Sequence, residues 1–224
     1  VIEQHLDRGG ARGDQPALVW ISSEVEQTKT YTYRELSDEV NRFAAVLKSL
    51  GVGKGDRVLI YMPMIAEAVF AMLATVRIGA IHSVVFGGFA AASLAARIDD
   101  AKPKVLITAD AGSRMGKVIP LKPLTDESIK LAEFPPKHVV IVNRGLDKAM
   151  TTIPGRDMDY GVLRQKHMDD VVPCEWVESS HPSYILYTSG TTGKPKGVQR
   201  DTGGYAVALA ASMPHIFDLK PGET

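Results

Sequence analysis

The chain has 224 residues, 45% of them hydrophobic and 23% charged, and its 26 basic and 26 acidic side chains cancel to a formal net charge of zero. This is globular composition, enough for one large domain or two small ones; it provides no net basic field for nucleic acid, so any anion site has to be local. The single cysteine, Cys174, excludes an internal disulfide framework and points to a reducing compartment, and no apolar run reaches the length of a membrane span.

Residues 17–22 (ALVWIS) and 28–33 (TKTYTY) read as strands, and the polar SSEVEQ between them predicts a hairpin. Thr32 stands three residues before Glu35, a capping-box spacing. Leu36, Val40, Phe43, Ala44, Leu47 and Leu50 follow at helical intervals until Gly51 can close the helix. After a turn at 51–56 comes a buried strand, 57–61, stopped by Pro63, then a helix at 65–78 that ends at Gly79. A strand at 81–85 runs into Phe86-Gly87-Gly88-Phe89, and an alanine-rich helix at 90–100 leads to a strand at 104–108. A polar stretch, a helix near 124–133 and a strand at 138–142 come next. Residues 143–180 carry many charges and few periodic apolar positions, which predicts a long irregular connection with one helix at 158–168. A strand at 184–188 and a helix from about 203 to 213 flank a glycine-rich loop. Met62, Met64 and Met72 are assigned to the core, and Asp99-Asp100 to the solvent end of a helix. Helices alternating with short all-apolar strands predict an α/β fold: a mostly parallel sheet with helices on both faces and a small hairpin on its front.

The loop is YTSGTTGKPKG, Tyr187 to Gly197. A phosphate chain needs many donors at close range. Glycines let backbone N–H groups turn inward. Thr188, Ser189, Thr191 and Thr192 offer hydroxyls, and Lys194 and Lys196 offer charge. The loop follows a strand, and ligands of open α/β sheets sit outside the carboxyl ends of strands. Two other phosphate fingerprints fail: from Gly190 the second glycine of a P-loop falls on Pro195, and the spacing 190–193–197 is not GxGxxG. An NTPase of the P-loop type is thereby set aside, whereas a non-catalytic nucleotide-binding module stays open.

Tyr187–Gly197 resembles the signature loop of the adenylate-forming enzymes, the acyl-CoA synthetases and their relatives. Val198-Gln-Arg-Asp-Thr-Gly-Gly-Tyr205, Val84-Val-Phe-Gly-Gly-Phe89 and Ile107-Thr-Ala-Asp-Ala-Gly-Ser-Arg-Met-Gly-Lys117 resemble the short-chain acyl-CoA synthetases. The Gln-Arg-Asp run looks more like the propionate-using branch than the acetate-using one. The similarity spans nearly the whole chain.

This resemblance implies that residues 1–224 are the front part of the large N-terminal, AMP-binding domain, with the C-terminal domain absent. It implies ATP-dependent activation of a short carboxylate, propionate first and acetate as the alternative. The products are an acyl-adenylate and pyrophosphate, and then a thioester with CoA and free AMP. ATP, Mg2+ and CoA are the cofactors and substrates implied. Thr188, Ser189, Gly190, Thr191, Thr192, Gly193, Lys194, Lys196 and Gly197 would bind the ATP phosphates, and Gly87, Gly88, Arg114 and Lys117 would line the CoA site. The family often has arginine where Lys117 stands; lysine keeps the charge and loses bidentate geometry. The family's catalytic lysine lies beyond this chain, so no catalytic residue is assigned and the polypeptide alone is expected to be inactive.

The six histidines, at 5, 82, 138, 167, 181 and 215, show no HxH, HxxxH or HExxH spacing, so no metal site is assigned. The expected partners are small molecules, with neither nucleic acid nor membrane, and the oligomeric state is left open. The chain starts at Val1 without a signal-peptide pattern. A cytoplasmic location is expected, or the mitochondrial matrix if a presequence has been removed.

Overall fold

The computed structural model describes residues 12–22, 26–188 and 195–220. Strands β1 (Pro16–Ser22) and β2 (Gln27–Thr32) form the expected antiparallel hairpin. Helix α1 (Tyr33–Ser49) starts at the expected capping box. Thr32 accepts from the Glu35 backbone N–H, and the Glu35 carboxylate accepts in return from the Thr32 N–H at 2.8 Å. Gly51, at φ +80°, ends it in the left-handed region that a side chain would strain.

The main sheet is built from β3 (Arg57–Met62), β4 (Ile81–Phe86), β5 (Val105–Ala109), β8 (His138–Val142), β9 (Asp157–Asp159), β10 (Pro182–Thr188) and β11 (Lys196–Asp201). Their order is β11-β10-β4-β3-β5-β8-β9, parallel throughout except for the antiparallel β10–β11 pair. Helices α2 (Ala66–Arg77), α3 (Ala91–Ala101) and α4 (Lys122–Leu131) make the crossovers. The β3-to-β4 step runs one way along the sheet and the β4-to-β5 and β5-to-β8 steps run the other. Right-handed crossovers therefore put α2 on one face and α3 and α4 on the opposite one. Helix α1 packs on α2, α3 on α4, and the short α5 (Tyr160–Lys166) on α1. Covered on both sides, Val58–Tyr61 and Val105–Leu106–Ile107 are fully buried.

Three elements depart from expectation. The polar stretch after β5 is a second hairpin, β6 (Ala111–Arg114) and β7 (Lys117–Pro120). A three-residue strand, β9, precedes α5. Residues 196–201 form β11 rather than loop, an exposed edge strand whose hydrogen bonds to β10 replace any apolar signal. Helix α6 (Thr202–Ile216) then starts on Asp201, whose carboxylate accepts from the Gly204 N–H. One assignment is corrected. Met64 is 93% exposed, because it sits in the turn past Pro63, whereas Met62 is buried and Met72 packs on the core. Asp99 and Asp100 lie in the last turn of α3 as expected, with Asp100 exposed, and both also make contacts: Asp99 accepts from the Phe134 N–H at 3.0 Å and Asp100 from the Tyr187 hydroxyl at 2.6 Å.

Buried polar groups hold the irregular connections. Lys122, 1% exposed, pairs with Asp126 and Asp157, and Arg156 joins both carboxylates, which fixes α4 to β9. Asn41 binds the Asp170 carbonyl and the Val172 N–H, and Arg77 donates to the Val172 carbonyl at 2.8 Å. The chain from 168 to 176 is thereby pinned under α1 and α2 before it delivers β10. Among the described residues no helix is long and apolar enough to cross a membrane.

Candidate functional site

Because β3, β4, β5 and β10 run parallel, Met62, Phe86, Ala109 and Thr188 end on one edge of the sheet. Tyr184 pairs with His82; four residues further along each strand, Thr188 stands level with Phe86. The turn 87–89, the β6–β7 hairpin and the loop after Thr188 therefore start from the same end of the sheet, the end at which open α/β sheets bind ligands.

The turn after β4 is shaped by its own chain. A side chain at Gly87 would come within 3.2 Å of the Met62 carbonyl oxygen, and one at Gly88 within 2.4 Å of the Phe86 ring. The Phe86 ring is 67% exposed and meets Phe89 edge-on at 5.8 Å. From below, the buried Tyr61 hydroxyl donates to the Phe89 carbonyl at 2.9 Å, with the Gly87 carbonyl at 3.3 Å. A side chain at Gly87 would thus press on backbone, and one at Gly88 would have to displace the exposed Phe86 ring.

The β6–β7 hairpin turns at Met115 and Gly116, both with positive φ (51° and 74°), the two-residue turn whose twist suits a hairpin. Arg114 and Lys117 are exposed register partners directly across that turn. Its root is held by Asp110, which is fully buried. The Asp110 carboxylate accepts backbone N–H groups from Arg144 at 2.9 Å, Leu146 at 2.7 Å and Asp147 at 3.1 Å. Burial pushes this carboxyl up, but the converging N–H groups prevail and hold it below the ordinary carboxylate range.

The third piece is the glycine-rich loop. Its two ends are antiparallel partners: Thr188 opposite Lys196 and Tyr187 opposite Gly197. The loop is therefore the connection of a β-hairpin, closed at its base by a ladder. Ser189, Gly190, Thr191, Thr192, Gly193 and Lys194 lie outside the described residues. Lys196 is exposed at the ladder's first rung. A side chain at Gly197 would come within 3.1 Å of Ile185, and within 3.2 Å of both Asp100 and the Tyr187 ring. Glycine here leaves room for the Tyr187–Asp100 bond. Two shallow cavities of about 480 and 260 Å³ lie between α1 and residues 167–172, away from this edge.

Of the predicted site residues, Gly87, Gly88, Arg114, Lys117, Thr188, Lys196 and Gly197 come to the one edge. Tyr61, Arg97 and Asp110, which support it, were not singled out from sequence, and Asp100 was read only as a solvent-facing helix end. A polar side chain at the carboxyl end of an apolar strand was the available signal for Tyr61 and Asp110; Arg97 and Asp100 offered none.

A family model described as AMP-binding enzyme matches residues 7–224. The chain belongs to this family. A propionate–CoA ligase of Escherichia coli (strain K12) is 61% identical over 206 residues, 92% of this chain and 33% of that protein. The mitochondrial acyl-CoA synthetase short-chain family member 3 of Homo sapiens is 46% identical over 223 residues, 99% of this chain and 32% of that protein. An acetoacetyl-CoA synthetase from Streptomyces lividans superposes with a TM-score of 0.85 at 31% identity, over 99% of this chain and 33% of that one. The chain spans about a third of the length of the curated relatives it matches.

Proposed function

We propose that this chain is the front part of the N-terminal AMP-binding domain of a short-chain acyl-CoA synthetase that uses propionate in preference to acetate. The carboxylate oxygen attacks the α-phosphorus of Mg-ATP, the bond to the pyrophosphate oxygen breaks, and acyl-adenylate forms. The CoA thiol then attacks the acyl carbon, gives up its proton and displaces AMP. Thr188, Lys196 and Gly197, with Ser189, Gly190, Thr191, Thr192, Gly193 and Lys194 between them, would hold the triphosphate and neutralise charge on the departing pyrophosphate. Mg2+ arrives as part of Mg-ATP. Arg114 and Lys117 would receive the phosphates of CoA, with Gly87 and Gly88 lining the same site.

One observation carries the reading: a Gly/Thr/Lys loop closed by a ladder and a hairpin with two facing cations emerge from one strand edge. Like charges directly opposite each other in a hairpin are destabilising, so Arg114 against Lys117 makes sense as a pair that shares an anion. Identity of 61% to a propionate–CoA ligase supports the choice of acid. Exchange of labelled pyrophosphate into ATP by the full-length protein tests it. Exchange should require a carboxylate and run faster with propionate than with acetate. Arg114→Ala should raise the KM for CoA about tenfold, the loss of one charge-assisted contact of about 1.5 kcal/mol, and leave exchange within twofold of wild type. Exchange that ignores the carboxylate removes the reading.

A further inference from the structure

Helix α3 runs behind two of the three pieces of the edge, and one of its side chains reaches both. Arg97 is only 7% exposed. Its guanidinium donates to the Ser93 carbonyl at 2.7 Å and to the Ser93 hydroxyl at 2.8 Å, one turn back along its own helix. Its carbon Cζ lies 4.5 Å from the centre of the Phe89 ring and 5.3 Å from that of the Tyr187 ring. Phe89 closes the turn that carries Gly87 and Gly88; Tyr187 is the residue before Thr188. A planar cation on aromatic faces is a strong contact when desolvated, and lysine does not reproduce the stacking. One turn further along α3, Asp100 takes the Tyr187 hydroxyl at 2.6 Å and lies over Gly197 on the other side of the ladder. Burial pushes the Tyr187 phenol up, with the Asp100 carboxylate adding to the effect, so the tyrosine stays a donor.

We propose that Arg97 is a positioning residue: together with Asp100 it ties the turn bearing Gly87 and Gly88 to the base of the phosphate loop, so that the two ligand sites of the reaction move as one body. Its place in a reaction rests on the function proposed above; the tie itself rests on the contacts of α3. The consequence is that one substitution on α3 disturbs both substrates. Arg97 sits on a helix face and acts through the Phe89 and Tyr187 rings.

The test uses the full-length protein and three variants. Arg97→Met keeps the aliphatic stem and should raise the KM for ATP and the KM for CoA together, each about tenfold, with kcat at saturation changed less. Arg97→Lys retains the charge without the plane and should fall between Arg97→Met and wild type for both. Tyr187→Phe keeps the ring against Arg97 but loses the Asp100 bond, and should raise the KM for ATP about threefold while the KM for CoA stays within twofold. Hydrogen exchange without ligands gives a readout independent of chemistry: in Arg97→Met the amides of 86–89 and of 196–199 should exchange faster together, by about tenfold. A fall in kcat with both KM values unchanged, a change in one KM alone for Arg97→Met, or acceleration of only one of the two segments overturns the proposal. If the wild-type protein shows no carboxylate-dependent pyrophosphate exchange, the proposed function falls, and hydrogen exchange still decides whether Arg97 ties the two segments.

Discussion

In β3, β5 and β8 the runs Val58–Tyr61, Val105–Ala109 and Val139–Val142 are buried without interruption, whereas β10 and β11 bury only Ser183 between them and α6 buries none of its residues. The first group supplies anchors: Tyr61 under the turn after β4 and Asp110 under the β6–β7 hairpin. The second group presents the glycine-rich loop from an exposed ladder. What joins them is narrow. Among the described residues it includes one register pair between β10 and β4, the stacking of Tyr184 on His82 at 5.6 Å, the contact of His181 Nε2 with the Gly79 carbonyl at 2.9 Å, and the contacts of Tyr187 with Arg97 and Asp100 of α3. A rigid half and a lightly held half share the candidate ligand edge, so stability should be concentrated in the first and ligand response in the second.

The largest effect is expected in the rigid half. Phe43 is fully buried in α1 and stacks on Tyr160 with ring centres 4.4 Å apart. Phe43→Ala should cost about 3–5 kcal/mol, read as a fall in the urea midpoint of this chain. A loss under 1 kcal/mol would mean that the buried half does not dominate stability.

The junction between the halves should respond to pH. Burial holds the His82 imidazole down at about 4, and its Nδ1 is buried with no partner among the described residues. In the unfolded chain it binds a proton near pH 6.5. Between those values the unfolded state carries the extra proton, so stability is full above about pH 6.5, falls as pH drops toward 4, and levels off below that. The shift corresponds to about 3 kcal/mol. Unfolding curves between pH 7.5 and 4 should show the loss, and His82→Phe, which preserves a ring against Tyr184, should flatten this component. An unchanged pH profile in His82→Phe would show that the junction does not depend on a neutral imidazole.

The same division explains what could be read from sequence. Apolar runs such as RVLIY and HVVIV announce buried strands, because burial on both faces demands them. KGVQRD carries no such pattern; its strand conformation comes from ladder bonds to β10, which only the folded chain reveals. The β6–β7 hairpin was hidden for a similar reason, since its four-residue strands are held by the Met115-Gly116 turn and by Asp110. At the candidate site, composition and place after a strand pointed to the loop, and the resemblance to the short-chain acyl-CoA synthetases pointed to the Arg114/Lys117 pair, because those signals are local. Arg97 and Tyr187 are ninety residues apart in sequence, and nothing in either neighbourhood names the other.

The smallest effect should come from the exposed half, and it sharpens the contrast most directly. Val207 lies on α6 and is 71% exposed. Valine and serine have similar helix propensities, so exchanging them changes little intrinsically. With little apolar surface to lose, Val207→Ser should shift the stability of this chain by no more than about 0.5 kcal/mol, against several for Phe43→Ala. Urea unfolding of the two variants side by side makes the comparison. A cost above about 1.5 kcal/mol at Val207 would require buried contacts of core type, and α6 would then belong to the rigid half and not to the lightly held one.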